Sequence, residues 1–293
     1  MTHLDEELAA HTATRYTELL ERRGNGEPVQ YVTGETEFYG LPFRVTRDVL
    51  IPRPETEHLV ERVLELASDF PRPRIVDVGT GSGCIAVALA HSLQLQAGRS
   101  VKGTGFSSVK NTAFSPVRGT GLSPVKGTGF SPYINPTKSA GALAPEEDLS
   151  DVVTAIDLSA SALALARENA ERNGVSIRFL QGDLLAPVSG EQFEIVVSNP
   201  PYVPSADRDT LSVEVREYEP AMALFAGDDG LEVYRRLIPA AFDALVPGGF
   251  VLLEIGYGQS PAIAELLTRS GFAQIEFTSD LQSIPRVACA RRP

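Results

Sequence analysis

The sequence predicts an α/β fold built on a doubly wound, mostly parallel sheet of seven strands. Short apolar runs alternate along the chain with segments of helical length, which is typical of parallel strands joined by crossover helices. A glycine-rich turn follows the first of these runs, and an acidic residue follows the next. Because ligands bind beyond the carboxyl ends of the strands in such sheets, the same pattern predicts a binding site at that edge.

Each predicted strand is a short run rich in apolar and β-branched residues: 74–78, 152–156, 177–180, 193–197, 250–255, 274–278 and 286–290. The last two are expected to close the sheet as an antiparallel pair. The predicted helices between them are 83–95, 160–172, 230–245 and 261–270. Ser159 is a suitable cap for the second helix, which should end at Asn173-Gly174, and the third should end at Pro247-Gly248-Gly249.

Three shorter elements are expected ahead of the sheet. Residues 1–23 are predicted to form a short helix with apolar residues at Leu4, Leu8, Leu19 and Leu20. Residues 38–45 are predicted as a hairpin strand, and residues 54–66 as a helix with Pro54 in its first turn.

A tandem repeat of eight residues interrupts the alternating pattern between residues 100 and 139. Its units read SVKGTGFS, SVKNTAFS, PVRGTGLS, PVKGTGFS and PYINPTKS. One aromatic residue or Leu per unit buries too little surface to offset the ordering entropy, and the period matches no known solenoid. We therefore predict a disordered insertion at about 97–149, at the sheet end opposite the binding site, which leaves activity intact. A basic tether for an acidic partner or a nucleic acid is the alternative.

Charge and composition argue against several classes of protein. The net charge is −12, and the repeat region carries basic but no acidic residues, so the rest of the chain is more acidic still. Such a body repels phosphates, which argues against a nucleic-acid substrate. No apolar run reaches the roughly 20 residues of a bilayer span. The acidic N-terminus does not resemble a secretory signal, so we expect a cytoplasmic protein.

The cysteines and histidines suggest neither a disulfide nor a metal site. Cys84 and Cys289 lie far apart in apolar contexts, which predicts buried free thiols in a reducing compartment. The four histidines show no ligand spacing, so we expect no metal.

The first candidate site is the turn after residues 74–78, whose members are Gly79, Thr80, Gly81, Ser82 and Gly83. Glycines let a backbone turn sharply and approach a ligand closely, although a tight turn without a ligand is the alternative. Asp157 follows the next strand, where a carboxylate can accept both hydroxyls of a ribose or can cap the following helix. Asp183 follows the third strand, where it could reach an adenine amino group or serve as a turn residue.

The most specific segment is Ser198-Asn199-Pro200-Pro201-Tyr202, directly after residues 193–197. Two prolines fix the backbone and remove competing N–H donors. An amide nitrogen is a poor nucleophile because its lone pair is delocalised. Acceptors on its two N–H groups, from the Asn199 side chain and the Pro200 carbonyl, would hold it and raise its electron density. Tyr202 would supply a flat face against the planar amide, whereas a proline-rich turn without chemistry is the alternative.

Together these segments resemble the class I methyltransferases, and specifically the bacterial release factor glutamine methyltransferases. The stretches that carry the resemblance beyond the shared fold are residues 26–31 (GEPVQY), 50–57 (LIPRPETE), 199–202 (NPPY) and 219–231 (EPAMALFAGDDGL). The resemblance covers nearly everything from Arg22 to Arg292 except the repeat. The Asn-Pro-Pro-Tyr stretch is shared with adenine-N6 methyltransferases, so the segment around Arg53 is what shifts the substrate toward a protein glutamine.

The resemblance implies S-adenosylmethionine as methyl donor, S-adenosylhomocysteine as product, and no metal. The residues implied to bind the cofactor are Gly79, Thr80, Gly81, Ser82, Gly83, Asp157, Asp183, Leu184 and Asn199. Asn199, Pro200, Pro201 and Tyr202 are implied to hold the substrate glutamine, with Asn199, Pro200 and Tyr202 as catalytic residues. The implied partner is a peptide chain release factor, methylated at the glutamine of its Gly-Gly-Gln loop, and we expect the enzyme to be a monomer.

Two features depart from the family's pattern, beginning with the N-terminus. Only about 25 residues precede Gly26, so we expect residues 1–25 to be a remnant of a helical substrate-recognition domain, or the true start to lie upstream. Residues 26–50 are then a connecting hairpin and 51–293 the methyltransferase domain, in which the repeat insertion is the second departure. Arg53 and Glu55 either serve the site or cap a helix and pair locally.

Three other functions remain open at this point. A ribosomal-protein glutamine methyltransferase would perform the same chemistry on another protein. An adenine-N6 methyltransferase would need a basic groove and a platform for stacking bases. A non-catalytic binding module would only dock a partner.

Overall fold

The computed structural model describes residues 10–100 and 152–293, and it contains a seven-stranded sheet with a separate two-stranded hairpin. The strands are β1 (Glu35–Phe38), β2 (Leu41–Arg44), β3 (Ile75–Val78), β4 (Val153–Asp157), β5 (Arg178–Gln181), β6 (Phe193–Ser198), β7 (Leu245–Glu254), β8 (Ala273–Ser279) and β9 (Pro285–Arg291). The α-helices are α1 (Ala10–Gly24), α2 (Val29–Thr33), α3 (Glu57–Ala67), α4 (Cys84–Ser100), α5 (Ala160–Arg172), α6 (Val213–Tyr218), α7 (Ala221–Leu224), α8 (Glu232–Ala244) and α9 (Ser260–Arg269).

The large sheet runs in the order β5-β4-β3-β6-β7-β9-β8. Strands β5, β4, β3, β6 and β7 are parallel, whereas β9 pairs antiparallel with both β7 and β8. This architecture confirms the predicted fold class and the closing antiparallel pair. The strand order reverses direction at β3 and β6, so the crevice between their carboxyl ends is the switch point at which ligands bind in such sheets.

The sheet is covered by helices on both faces, which explains why its central strands read as continuous apolar runs. All of Ile75, Val76 and Val78 in β3 are buried. One core cluster packs β3 and β6 against α3 and α4, and a second packs the opposite face against α8 and α9. Tyr234 and Leu237 on α8 are fully buried in the second cluster.

The connection between α8 and β7 differs from the prediction. The helix ends at Ala244 and the strand begins at once at Leu245, so Pro247-Gly248-Gly249 lies inside β7 rather than at a helix exit. Pairing with β6 shifts register between Phe193 and Ile195. The irregular stretch of strand accommodates a proline and two glycines where a regular ladder would not.

Buried polar groups hold the N-terminal elements together and join the hairpin to the sheet domain. The hairpin turns at Tyr39 and Gly40, both in the left-handed region with φ of 53° and 72°. Asn169 on α5 accepts from the Arg44 backbone N–H at 2.7 Å and donates to the Arg44 carbonyl at 3.0 Å. Glu27 is buried and accepts two hydrogen bonds from Arg22 at 2.8 Å, which hold the pKa of its carboxyl down at about 2.

The predicted helix at 1–23 corresponds to α1 from Ala10 onward, and residues 1–9 lie outside the described residues. Most of the predicted insertion at 97–149 also lies outside them. Its described flanks, the end of α4 and the start of β4 at Val153, lie at the amino edge of the sheet, opposite Asp157. Among the described helices, none is long and apolar enough to cross a membrane.

Candidate active site

A cleft of about 240 Å³ opens at the carboxyl ends of β3, β4, β5 and β6. It brings together ten of the residues singled out from the sequence: Gly79, Thr80, Gly81, Ser82, Asp157, Asp183, Leu184, Asn199, Pro200 and Pro201. These come from four different strand ends, so the parallel sheet gathers residues that are more than 100 positions apart. Two other predicted site residues, Gly83 and Tyr202, are not among the described residues that line it.

The glycine turn is held by the neighbouring strand. The backbone N–H groups of Gly79 and Thr80 both donate to the Ile156 carbonyl, at 2.8 and 3.0 Å. Gly83 has a different task from the glycines in the cleft. Its φ is +81°, and a Cβ there would lie 3.0 Å from the Cβ of Ala166 on α5. Gly83 therefore allows the start of α4 to pack against α5.

A buried carboxyl group lies beneath the turn. Asp77 is fully buried, and the Thr80 hydroxyl donates to its Oδ2 at 2.6 Å. Burial raises the pKa of Asp77 to about 7, because removal from water disfavours the ionised form. The contact ties the turn to the strand that precedes it.

Asp157 accepts backbone hydrogen bonds on both oxygens. Gly81 N–H donates to Oδ2 and Ser159 N–H donates to Oδ1, each at 2.8 Å. The Ser159 hydroxyl, not Asp157, caps the following helix by accepting from Ala162 N–H at 3.2 Å, which confirms the predicted cap. A carboxylate has about four lone-pair directions, so Asp157 retains acceptor capacity for two hydroxyl groups in the cleft.

Asp183 and Leu184 form the far wall. Asp183 pairs with Arg236 on α8, and both side chains are about half exposed. Leu184 has a φ of 48°, which is unusual for a residue with a branched side chain. Strained backbone of this kind concentrates at functional sites. Arg236 also lines the cleft, and nothing in the sequence around it on α8 predicted this.

Asn199 is supported by a chain of side-chain hydrogen bonds. Its Nδ2 donates to Thr56 Oγ1 at 3.2 Å, and Thr56 Oγ1 donates to Glu254 Oε2 at 2.6 Å. Thr56 and Glu254 were not among the site residues predicted from the sequence, although the sequence contains a signal for each. Thr56 belongs to the Pro-Arg-Pro-Glu-Thr-Glu stretch, and Glu254 is a lone charge near the end of an apolar strand.

Tyr202 lies beside the cleft rather than on its wall. Its ring packs against the second core cluster, where a Cβ on Gly256 would lie 3.0 Å from it. Its carbonyl accepts from Gln259 Nε2 at 3.0 Å. A Cβ on Gly230 would lie 2.2 Å from the same carbonyl oxygen, so the loop passes Gly230 at a distance that only glycine permits.

Arg53 pairs across the fold rather than locally. It donates to Glu219 Oε1 at 2.5 Å, which joins the two stretches around residues 53 and 219. Glu219 is buried, and burial raises the pKa of its carboxyl even though Arg53 opposes that shift. Glu55 is exposed and lies in the middle of the helical turn Pro54–Thr56 that precedes α3.

The two cysteines and the grouping of acidic residues and histidines bear on disulfide and metal chemistry. Cys84 and Cys289 are free and buried, as predicted, and burial raises their pKa to about 12 and about 11. In the described part of the chain, no three His, Cys, Asp or Glu residues are grouped as metal ligands would be.

A family model described as the methyltransferase small domain matches residues 140–216, and one described as the PrmC N-terminal domain matches residues 1–34. A release factor glutamine methyltransferase of Koribacter versatilis is 37% identical over 293 residues, covering 100% of this chain and 84% of its own length. The protein of that name from Geobacter sulfurreducens is 36% identical over 286 residues, covering 98% and 79%.

Among solved structures, the catalytic domain of hMettl16 in complex with a 3′UTR hairpin aligns with a TM-score of 0.54. The alignment covers 99% of this chain and 86% of that one at 15% identity. At this identity the similarity shows the fold alone, and that fold agrees with the seven-stranded α/β architecture described above.

Proposed function

The chain belongs to the release factor glutamine methyltransferase family, and on that premise we propose that it methylates the side-chain nitrogen N5 of the glutamine in the Gly-Gly-Gln loop of a peptide chain release factor. The observation that carries this proposal is the arrangement of Asn199, whose oriented amide faces the same cleft as Asp157 and the glycine turn.

We propose that S-adenosylmethionine is the methyl donor and that the cleft residues fit it. Asp157 has acceptor capacity for two ribose hydroxyls, and its orientation is already fixed by two backbone N–H groups. Leu184 supplies an apolar wall beside Asp183, as a purine ring requires. When bound, this cofactor supplies an electrophilic methyl carbon on a sulfonium centre.

The substrate amide is held by acceptors at the end of β6. The Asn199 side-chain oxygen and the Pro200 carbonyl accept its two N–H groups, which aims the nitrogen lone pair and keeps the amide from rotating. Orientation of this kind is catalysis by positioning. Tyr202 anchors the loop through its packed ring, and stacking of that ring on the amide stays a prediction.

The proton is lost to water. Neither a histidine nor a lysine is among the described residues that line the cleft. An N-methylated amide that still carries both protons is a strong acid, so it needs no strong base once the C–N bond has formed. The chain's task is thus to hold the nitrogen, not to deprotonate it.

The domain organisation follows the same proposal. Residues 51–293 form the methyltransferase domain, 26–50 a connecting hairpin, and 1–25 part of the helical domain that recognises the release factor. The match of residues 1–34 to the PrmC N-terminal domain supports the last assignment. We propose a monomer that acts in the cytoplasm, where release factors function.

A labelled-methyl transfer assay tests this function. The enzyme is given labelled S-adenosylmethionine with a release factor, the same factor with its loop Gln replaced by Ala, ribosomal protein, or DNA. We expect label on the intact release factor alone. Label on DNA would indicate an adenine methyltransferase, and label on ribosomal protein would indicate a ribosomal-protein glutamine methyltransferase. Label that persists on the Ala variant would contradict the proposed target.

A further inference from the structure

Glu254 carries a buried carboxyl group that takes no direct part in the proposed methyl transfer. It ends β7, it is 3% exposed, and its Oε2 accepts the Thr56 hydroxyl at 2.6 Å. Its backbone carbonyl accepts from the buried Tyr234 hydroxyl at 2.6 Å, which fixes the main chain at this point. Burial of a carboxyl group costs free energy unless the group is well hydrogen-bonded, so core packing alone does not explain a glutamate at this position.

The hydrogen bonds around Thr56 have a direction. A threonine hydroxyl carries one proton, and here it is donated to Glu254, so the oxygen can only accept from Asn199. The group that Asn199 presents to Thr56 must therefore be its NH₂. The side-chain oxygen of Asn199 then faces away from Thr56.

We propose that Glu254 and Thr56 are positioning residues that hold the Asn199 amide with its oxygen toward the substrate nitrogen. This inference rests on the proposed function, because it explains how that site acquires an acceptor rather than a donor. An asparagine amide rotated by half a turn would present NH₂ to the substrate N–H groups, and two donors would then face each other.

The three residues come from separate parts of the chain. Thr56 lies before α3, Asn199 follows β6, and Glu254 ends β7. This relay of hydrogen bonds from Asn199 through Thr56 to Glu254 therefore depends on how the segment before α3 packs against the strand ends. Ser198 fixes the backbone beside Asn199 by donating to the Val78 carbonyl at 2.6 Å. Because the main chain is held here, the movement that the relay prevents is rotation of the Asn199 side-chain amide.

Titration of the Glu254 carboxyl group makes the relay sensitive to pH. Burial is the largest influence and raises the pKa of Glu254 to about 7, Glu55 acts in the same direction, and Arg286 on β9 opposes them. The hydrogen bond from Thr56 lowers this pKa, and the nearby Asn199 side chain lowers it further. The hydroxyls of Tyr202 and Tyr234 and the thiol of Cys84 are further titratable groups nearby, and burial raises the pKa of all three.

Protonation of Glu254 reverses the hydrogen bonds. A neutral carboxylic acid can donate to Thr56, which frees the threonine proton for the Asn199 oxygen and favours the rotated amide. The ionised form is therefore the active one, and kcat should rise as pH increases through about 7.

Four variants, one of them a control, test the relay by activity. Thr56→Val removes the hydroxyl at nearly constant shape and should lower kcat roughly 10- to 100-fold with the affinity for S-adenosylmethionine within about two-fold. Thr56→Ser should restore most of kcat. Thr154→Val, a buried threonine of β4 that does not line the cleft, is the matched control and should leave kcat unchanged. In Glu254→Gln the rise of kcat near pH 7 should disappear.

The side-chain NH₂ signals of Asn199 in ¹⁵N NMR provide a readout that needs no substrate. We expect them to shift in one step near pH 7 in the wild-type protein and to stay constant in Glu254→Gln. If the wild-type protein transfers no label to a release factor but this titration is present, the proposed function fails and the relay stands. Signals that do not titrate, or a Thr56→Val variant with wild-type kcat, overturn the relay.

Discussion

The two halves of the cleft are fixed in different ways. The glycine turn is held by its immediate surroundings: Ile156 on the adjacent strand accepts two of its N–H groups, and Asp157 accepts a third. Asn199 is instead held by Thr56 and Glu254, which are 143 and 55 positions away in the chain. One half depends on local backbone pairing, and the other on side chains from distant elements.

This difference suggests a division of labour that mutations can separate. Damage to the glycine turn or Asp157 should weaken cofactor binding while the substrate acceptor keeps its place. Damage to Asn199 or its supports should slow methyl transfer while the cofactor still binds. A change that reduced both equally would argue that the halves form one unit.

The largest effect is expected from Asn199→Ala. The variant loses the acceptor that orients the substrate nitrogen, so kcat should fall by roughly 10²- to 10³-fold or more. The affinity for S-adenosylmethionine should stay within a few-fold of the wild-type value, measured by calorimetry. Loss of cofactor binding in this variant would overturn the assigned role.

Asp157→Asn should show the opposite pattern. The amide keeps the shape, but its NH₂ group cannot accept a hydrogen bond and the charge that favours the ribose hydroxyls is lost. A hydrogen bond to a charged group accounts for roughly 10- to 100-fold in affinity. We expect a Kd for S-adenosylmethionine raised by about that factor, with kcat at saturating cofactor nearly unchanged. A lower kcat at an unchanged Kd would contradict the division of labour.

Gly83→Ala probes the packing beneath the turn. The new Cβ must adopt a φ of +81° and lie 3.0 Å from Ala166, so we expect the variant to be less stable by about 1–3 kcal/mol. Gly174→Ala is the matched control, because its φ of +66° imposes backbone strain in open space. Denaturant melts should show a larger loss for Gly83, and equal losses would mean that the contact with Ala166 costs nothing.

The smallest effect is expected from removal of the octapeptide repeat. Its described flanks lie at the amino edge of the sheet, opposite both halves of the cleft. Replacement of residues 101–149 by a short Gly-Ser linker should change kcat by less than about two-fold, because loop length costs little free energy. A large fall in release-factor affinity would favour the basic tether instead.

The sequence predicted best what short segments determine by themselves. Ser159 and the bounds of α5 followed from local capping rules, and the glycine turn and Asn199 were found at strand ends because the alternating pattern located those ends. The pairs Thr56–Glu254 and Arg53–Glu219 could not be predicted, since each joins the stretch 50–57 to a residue far along the chain that only the folded structure brings close. The predicted helix end at Pro247 was wrong for the same reason, because pairing with β6 places this residue inside β7.

The most direct test of the proposed chemistry is fragmentation mass spectrometry of a release factor after incubation with the enzyme and S-adenosylmethionine. The account predicts one added methyl group, located on the side-chain amide nitrogen of the glutamine in the Gly-Gly-Gln loop and absent when Asn199→Ala replaces the wild-type enzyme. A methyl group on any other residue, or one that the Asn199→Ala enzyme adds at the wild-type rate, would contradict it.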